Sequence, residues 1–271
     1  MILRPLDPTI TAVVQKNSLE QHASAENQFA PAWQIVEQVQ RAIYETCWMI
    51  TQPSHAALAG DIAAELVLPG LPKLEADVVR AISLHDAGWG MPDAQAVMRS
   101  RAGEQEVPRS FIQCTVAELV AAWTQSIDIA QTTSPAGGYI VSRHFWRLAE
   151  HRLAAGQDTK PARSQIKDFL DDEMERQKEL AAKQKRNEKE LEALTDALQF
   201  CDLVSLYICC GAQVAVEFPE CCGTKVRMTV EGSTYQFDPA VVAGPSEFPL
   251  AALHHPATKQ VSGQEIVITL S

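Results

Sequence analysis

Ala81-Ile82-Ser83-Leu84-His85-Asp86-Ala87-Gly88-Trp89 is the stretch on which the reading of this chain turns. Glu75 to Leu84 keeps the spacing of an amphipathic helix, and Gly88 and Gly90 break it. Val78, Ile82 and His85 share one helical stripe, and Val79, Ile82 and Asp86 share an overlapping one. Imidazole and carboxylate therefore stand at the edge of a face destined for burial. A carboxylate buried there needs a partner, because an unpaired charge away from water is costly. A metal ion satisfies an adjacent imidazole and carboxylate together. Taken alone, the dipeptide reads more readily as an ordinary helix C-terminus with a capping His and a solvated Asp.

Three other predicted helices each carry an ionisable group on an apolar stripe. His55 lies with Ala59, Ile62 and Leu66; His144 lies with Ile140, Leu148 and His151; Asp202 lies with Leu198, Leu206 and Cys209. A single histidine on such a face is usually a hydrogen-bonded core residue. Four helices converging on His, His-Asp, His and Asp point instead to a shared site, with His55, His85, Asp86 and Asp202 as metal ligands.

The order His…His-Asp…Asp resembles that of the HD-domain superfamily of metal-dependent phosphohydrolases. More closely, Ile50-Thr51-Gln52-Pro53-Ser54-His55, Leu84-His85-Asp86-Ala87-Gly88-Trp89, Val141-Ser142-Arg143-His144 and Cys201-Asp202-Leu203-Val204-Ser205-Leu206 resemble the segments of a bacterial family, domain of unknown function 3891. The resemblance runs from about Ile50 to the C-terminus. It implies a mostly α, HD-domain-like helical bundle and a divalent-metal phosphohydrolase. One departure stands out: where many HD hydrolases carry Lys after the small residue and Gly, this chain has Trp89. Substrate grip then falls to other groups, and Gln52, Trp89, Arg143 and His144 are the candidates.

At 271 residues the chain suits one large domain or one domain with an appendage. A net charge of −11 argues against a general nucleic-acid or anionic-membrane surface. It leaves room for a small anionic substrate, since local potential at a metal site differs from the global sign. Met1 to Pro8 lacks the apolar core of a secretory leader, and Leu203 to Val216 is too short and interrupted to span a bilayer. Seven cysteines, among them Cys209-Cys210 and Cys221-Cys222, make no disulfide framework, so a cytoplasmic setting is expected. Their spacing does not match a zinc knuckle.

In chain order, residues 1–30 read as a loosely packed extension. Pro31 opens a helix from Ala32 to Glu45, a packing or homodimer helix, with Ile35, Val39, Ile43 and Cys47 on a stripe. The next helix starts at Thr51 to Ser54, placing His55 in a first turn where the dipole favours the neutral, metal-binding imidazole. Gly90 to Arg109 reads as a loop beside the site, and Thr115 to Ala130 as a helix. Ser134 to Gly138 reads as a break before the helix of His144. Ala162 to Arg186 is a charge-dense, solvated helix, and Glu188 to Gly211 delivers Asp202. These elements define a helical domain over 31–211. Residues 212–271 read as a small antiparallel β appendage of four strands, with Glu231-Gly232 as a hairpin turn and His254-His255 as an edge or loop feature.

Two imidazoles and two carboxylates suit manganese, iron, cobalt or zinc, as one or two ions, and leave positions for water and substrate. Asp86 would bridge ions or take the nucleophile's proton, and His144 would serve as a ligand or a proton donor. Two alternatives stay open: a di-iron HD-type oxygenase, with His151 assisting, and a non-catalytic, metal-stabilised domain that binds a ligand or partner.

Overall fold

The computed structural model describes residues 1–6, 29–102, 108–257 and 263–271. Its centre is α8 (Glu188–Cys210), whose residues from Leu203 to Cys210 are all buried. Asn187 and Glu190 form a reciprocal cap at its start, and Gly211, at φ 67°, ends it in a left-handed turn. By length and composition α8 could cross a membrane, yet 78% of its apolar stretch is buried inside the protein. Around it pack α1 (Ala32–Arg41), α2 (Gln52–Glu65), α3 (Ala76–Ser83) and α6 (Pro135–Ala155). Then α5 (Val116–Gln131) and α7 (Lys160–Ala182) pack on α6, and α4 (Gly90–Arg101) follows a short 3-10 turn at Ala87–Trp89.

The fold expected from the sequence is corrected in its β half. The sheet is no small antiparallel appendage at the C-terminus: eight strands form one mixed, curled half-barrel. Its order is β1-β3-β7-β8-β6-β5-β4-β2, with β1 (Ile2–Pro5), β2 (Ala30–Pro31), β3 (Cys47–Ile50), β4 (Val216–Glu217), β5 (Arg227–Glu231), β6 (Thr234–Asp238), β7 (Ser246–His255) and β8 (Gln264–Leu270). β2 pairs with β4 and β6 with β8 in parallel; the other neighbours are antiparallel. β7 joins the two ends of the chain, pairing with β3 at Leu253 to His255 and with β8 at Ser246 to Ala252. Three of the eight strands come from the first fifty residues. Four-residue apolar runs such as Cys47 to Ile50 carry no period that separates strand from helix, and their partners lie about two hundred residues away.

Smaller corrections follow the same logic. The helix of Ile35 and Val39 ends at Arg41, leaving Ile43 exposed and Cys47 in β3. The expected loop after Trp89 is α4, because Pro92 falls in a first turn, where its missing N–H costs nothing. Ser134 to Gly138 is a helix start: Ser134 caps Gly137 N at 3.0 Å and Pro135 takes the first helical position. His255 lies on β7, nearly fully buried, with Nδ1 2.8 Å from Ser100 Oγ. The seven cysteines are free thiols. Most of the expected loose extension, residues 7–28, lies outside the described residues; residues 2–5 form β1.

Candidate metal centre

Each ligand-bearing element ends or starts for a local reason. Thr51 Oγ1 accepts from Ser54 N at 3.1 Å and Pro53 sits in the first turn, so α2 begins just before His55. α3 closes at Ser83, and the chain turns through His85 and Asp86 into the 3-10 turn. Gly88 makes that corner possible: a Cβ there would lie 2.1 Å from Ala122 O, and its N–H donates to Ser126 Oγ at 2.9 Å. The corner is thereby pinned against α5. His144 and Asp202 come from the inward faces of α6 and α8.

These elements bring His55, His85, Asp86, His144 and Asp202 together. His55 Nε2 is 3.1 Å from Asp202 Oδ1 and 3.4 Å from Asp86 Oδ2. His85 Nε2 is 3.3 Å from Asp202 Oδ1 and 3.7 Å from Asp86 Oδ2. His144 Nε2 is 3.7 Å from Asp202 Oδ2. The three imidazoles are buried, and the two carboxylates keep a small exposed edge, 10% and 13% of their side chains.

The outer nitrogens fix the tautomers. His85 Nδ1 is 2.7 Å from Ile82 O, which only accepts, so Nδ1 carries the proton. His55 Nδ1 is 2.8 Å from Ser205 Oγ, whose own proton goes to Asp202 O at 2.9 Å. Nδ1 of His55 is therefore the donor as well. Both rings turn Nε2 toward carboxylate oxygens. Imidazole nitrogen facing carboxylate needs a cation between them, a proton on the ring or a metal ion. His55 Nε2 is indeed buried with no hydrogen-bond partner, as are His144 Nδ1 and Gln52 Oε1.

Spacing tests which cation fits. Donors held at about 2.1 Å from one ion lie roughly 3.0 Å apart at right angles and roughly 3.4 Å apart on a tetrahedron. The His–Asp separations above, 3.1 to 3.7 Å, are of that size. Two overlapping triads have one donor atom each within 4.8 Å of the others: His55, His85 and Asp86, and His85, His144 and Asp202. Either could hold a metal ion.

The electrostatics agree. Burial alone would depress His85, but the Asp86 and Asp202 carboxylates overcome it and raise its pKa to about 9. Burial would raise Asp202, yet the His55 and His85 imidazoles facing it hold it well below the usual carboxylate range. His144 falls to about 4, chiefly by burial, opposed by Asp202 and reinforced by the charge of His85. The pocket stabilises positive charge where the two carboxylates face the rings, and keeps His144 neutral.

The other sequence candidates lie around this centre. Gln52 is one turn before His55, buried, with its N–H donated to Asp93 Oδ2 at 2.6 Å. Trp89 is buried in the core at the corner, its N–H on Asp86 O. Arg143 is engaged elsewhere: Nε reaches Glu192 Oε1 at 2.9 Å and the guanidinium lies 4.5 Å from the Trp146 ring centre. His151 is exposed, because α6 outruns the core two turns past His144. Sequence reasoning passed over Ser205, three residues after Asp202 on the same face. It also passed over Arg147 and Gln199, which stand three residues after His144 and three before Asp202. A three-residue step from a ligand along its helix was the signal for all three.

Fold and site define the class: a helical protein closed by a curled mixed sheet, with a buried His/Asp centre able to hold a metal. The chain matches the family described as Protein of unknown function (DUF3891) over residues 35–240, and it belongs to that family. Neither a curated protein nor a solved structure matches it.

Proposed function

We propose that this protein is a metal-dependent hydrolase acting on a small phosphorylated molecule, with a centre of the HD type. The observation that carries the reading is the pair of Nε2 atoms of His55 and His85, held by Ser205 and Ile82 O on the far side of each ring and aimed at Asp86 and Asp202. The ligand order His55, His85-Asp86, Asp202 supports the HD assignment. A divalent cation held there, manganese, iron, cobalt or zinc, supplies a water of lowered pKa and a Lewis acid for an anionic oxygen.

The chain's residues divide the remaining work. His55, His85, Asp86 and Asp202 form the ligand set, and Asp86, at the exposed edge, accepts the proton released by attacking water. His144, buried and neutral, donates from Nε2 or adds a ligand on the Asp202 side. Gln52, with an unpaired buried amide oxygen one turn from His55, orients a bound group. Burial of the centre excludes bulk water and favours a small substrate over a polymer.

The test is a screen of phosphomonoesters, cyclic nucleotides and nucleoside triphosphates on metal-stripped protein, with each metal restored in turn. Turnover that vanishes in Asp86→Ala and falls about 100-fold or more in His144→Ala is the expected result. No turnover with any metal, with dioxygen consumed by the iron form, would replace hydrolysis by oxygenase chemistry.

A further inference from the structure

The centre opens to solvent along one line. On α8 between Leu191 and Leu203, the residues that escape burial are Glu192, Ala193, Asp196, Gln199 and Asp202. On α6 between Ile140 and Leu148, the partly exposed positions are Arg143, Trp146 and Arg147. Charged pairs knit these two rows together. Arg143 holds Glu192; Arg147 Nη2 reaches Glu192 Oε2 at 2.5 Å and Nη1 reaches Asp196 Oδ1 at 2.8 Å. The next rung is Arg147 Nη1 donating to Gln199 Oε1, and the rung after it is His144 with Asp202. A row of paired charged and polar side chains thus steps along α8 one helical turn at a time and ends on Asp202, at the carboxylate edge of the centre.

Arg147 is the cation of that row that pairs with Gln199, one turn before Asp202. It stands one turn from His144, and its field reaches that imidazole. Three acceptors hold it, but only two are anionic; the third, Gln199, is a neutral amide on the side of Asp202. Replacing that amide by a dianion exchanges a neutral hydrogen bond for a charge-assisted one, and a guanidinium fork matches tetrahedral oxyanions in shape. The centre otherwise presents two carboxylates to an approaching anion, so its substrate needs a positive counterpart besides the metal.

We propose that Arg147 is the residue that grips the phosphoryl group of the substrate at this centre, with Gln199 as the ligand it releases. The assignment rests on the metal-dependent reading above and supplies the charge that Trp89 does not. Arg143, one turn earlier on α6, is occupied by Glu192 and Trp146.

The experiment titrates inorganic phosphate into the full chain loaded with Mn²⁺, reading binding heat and the Mn²⁺ resonance line shape, and repeats the titration without metal. Arg147→Gln is expected to weaken phosphate binding about tenfold or more while Mn²⁺ retention stays unchanged. Arg143→Gln should change it about twofold or less, by its distance from the centre in screening solvent. Gln199→Glu guards against misfolding of the arginine variant: it keeps shape and pairing but places a fixed anion on Arg147, and should weaken phosphate as well. Equal phosphate affinity in wild type, Arg147→Gln and Gln199→Glu would overturn the proposal, as would a wild type that binds no phosphate. Loss of Mn²⁺ retention in the wild type is a separate failure, that of the metal reading. The Arg147 assignment is then judged by the metal-free titration.

Discussion

The two halves of this molecule bury polar groups for opposite purposes. On the sheet side, buried polar groups close their hydrogen bonds within the protein. Gln40 accepts from Leu3 N at 3.0 Å and from Ser110 Oγ at 2.9 Å, and donates to Leu3 O at 2.7 Å. Tyr207 bonds both the N–H and the C=O of Val214, and His255 pairs with Ser100. Around the His/Asp centre buried polar groups stay open. Of five buried side-chain atoms without a partner among the described residues, three are His55 Nε2, His144 Nδ1 and Gln52 Oε1; the other two are amide oxygens of Gln34 and Gln38 on α1. A closed network specifies structure, and an open one converging with carboxylates awaits something from outside. That contrast marks the candidate site without reference to any relative.

The sharpest way to break the contrast is to supply what the open half lacks. Adding Mn²⁺ to metal-stripped protein should raise its unfolding free energy, by about 4 kcal/mol at roughly a thousand times the dissociation constant. His85→Ala/Asp86→Ala should abolish both the rise and the bound metal. Thermal unfolding beside elemental analysis of the same samples checks this. A wild type whose melting is indifferent to every divalent metal would mean that the open polar groups are simply paired by protons.

A change of intermediate size addresses the closed half. Gln40→Leu preserves bulk but strands the N–H and C=O of Leu3 and the Ser110 hydroxyl, three buried groups that lose their partner together. The expected cost is about 2–4 kcal/mol of stability, read by denaturant unfolding. Metal content should be unchanged, because Gln40 serves β1 and α8's far end. If Gln40→Leu emptied the centre, the two halves would not be separable in the way drawn here.

The same divide governs what the chain reveals when read unfolded. The ligand helices were legible because each carries its own period: His55, His85, His144 and Asp202 lie on stripes set by neighbours three and four residues away. Their convergence was inferred, and the structure brings them together with Asp86. The sheet was largely illegible, because its pairings are remote. Cys47 read as the tail of a helix stripe and His254-His255 as an edge or loop feature; only the pairing of β3, β7 and β8 places them in strands. Arg147 was passed over for a third reason. Its role depends on which face of α6 stays open, and burial of α6 is decided by α5, α7 and α8 rather than by its own sequence.

The smallest effect probes the hinge between open and closed. Ser205 belongs to both halves: its hydroxyl closes onto Asp202 O at 2.9 Å and takes the proton of His55 Nδ1 at 2.8 Å. It touches no carboxylate oxygen, so it contributes nothing to the charge of the centre. Its work is to hold the His55 ring in one orientation, with Nδ1 on the hydroxyl and Nε2 turned toward Asp86 and Asp202. Ser205→Ala removes that lock and little else, since alanine suits a helix interior and leaves only a small void. Metal affinity should fall about 10–100-fold, the usual consequence of losing the group that orients a ligating histidine. The metal-free protein should lose only about 1–3 kcal/mol of stability, the cost of leaving the buried His55 Nδ1–H without its acceptor. Competition with a chelator of known affinity measures the first, and thermal unfolding the second. Cysteine at the same position, a weaker acceptor of similar size, should give an intermediate affinity. Unaltered metal affinity in Ser205→Ala would show that packing alone holds His55, and the tautomer argument for this centre would lose its footing.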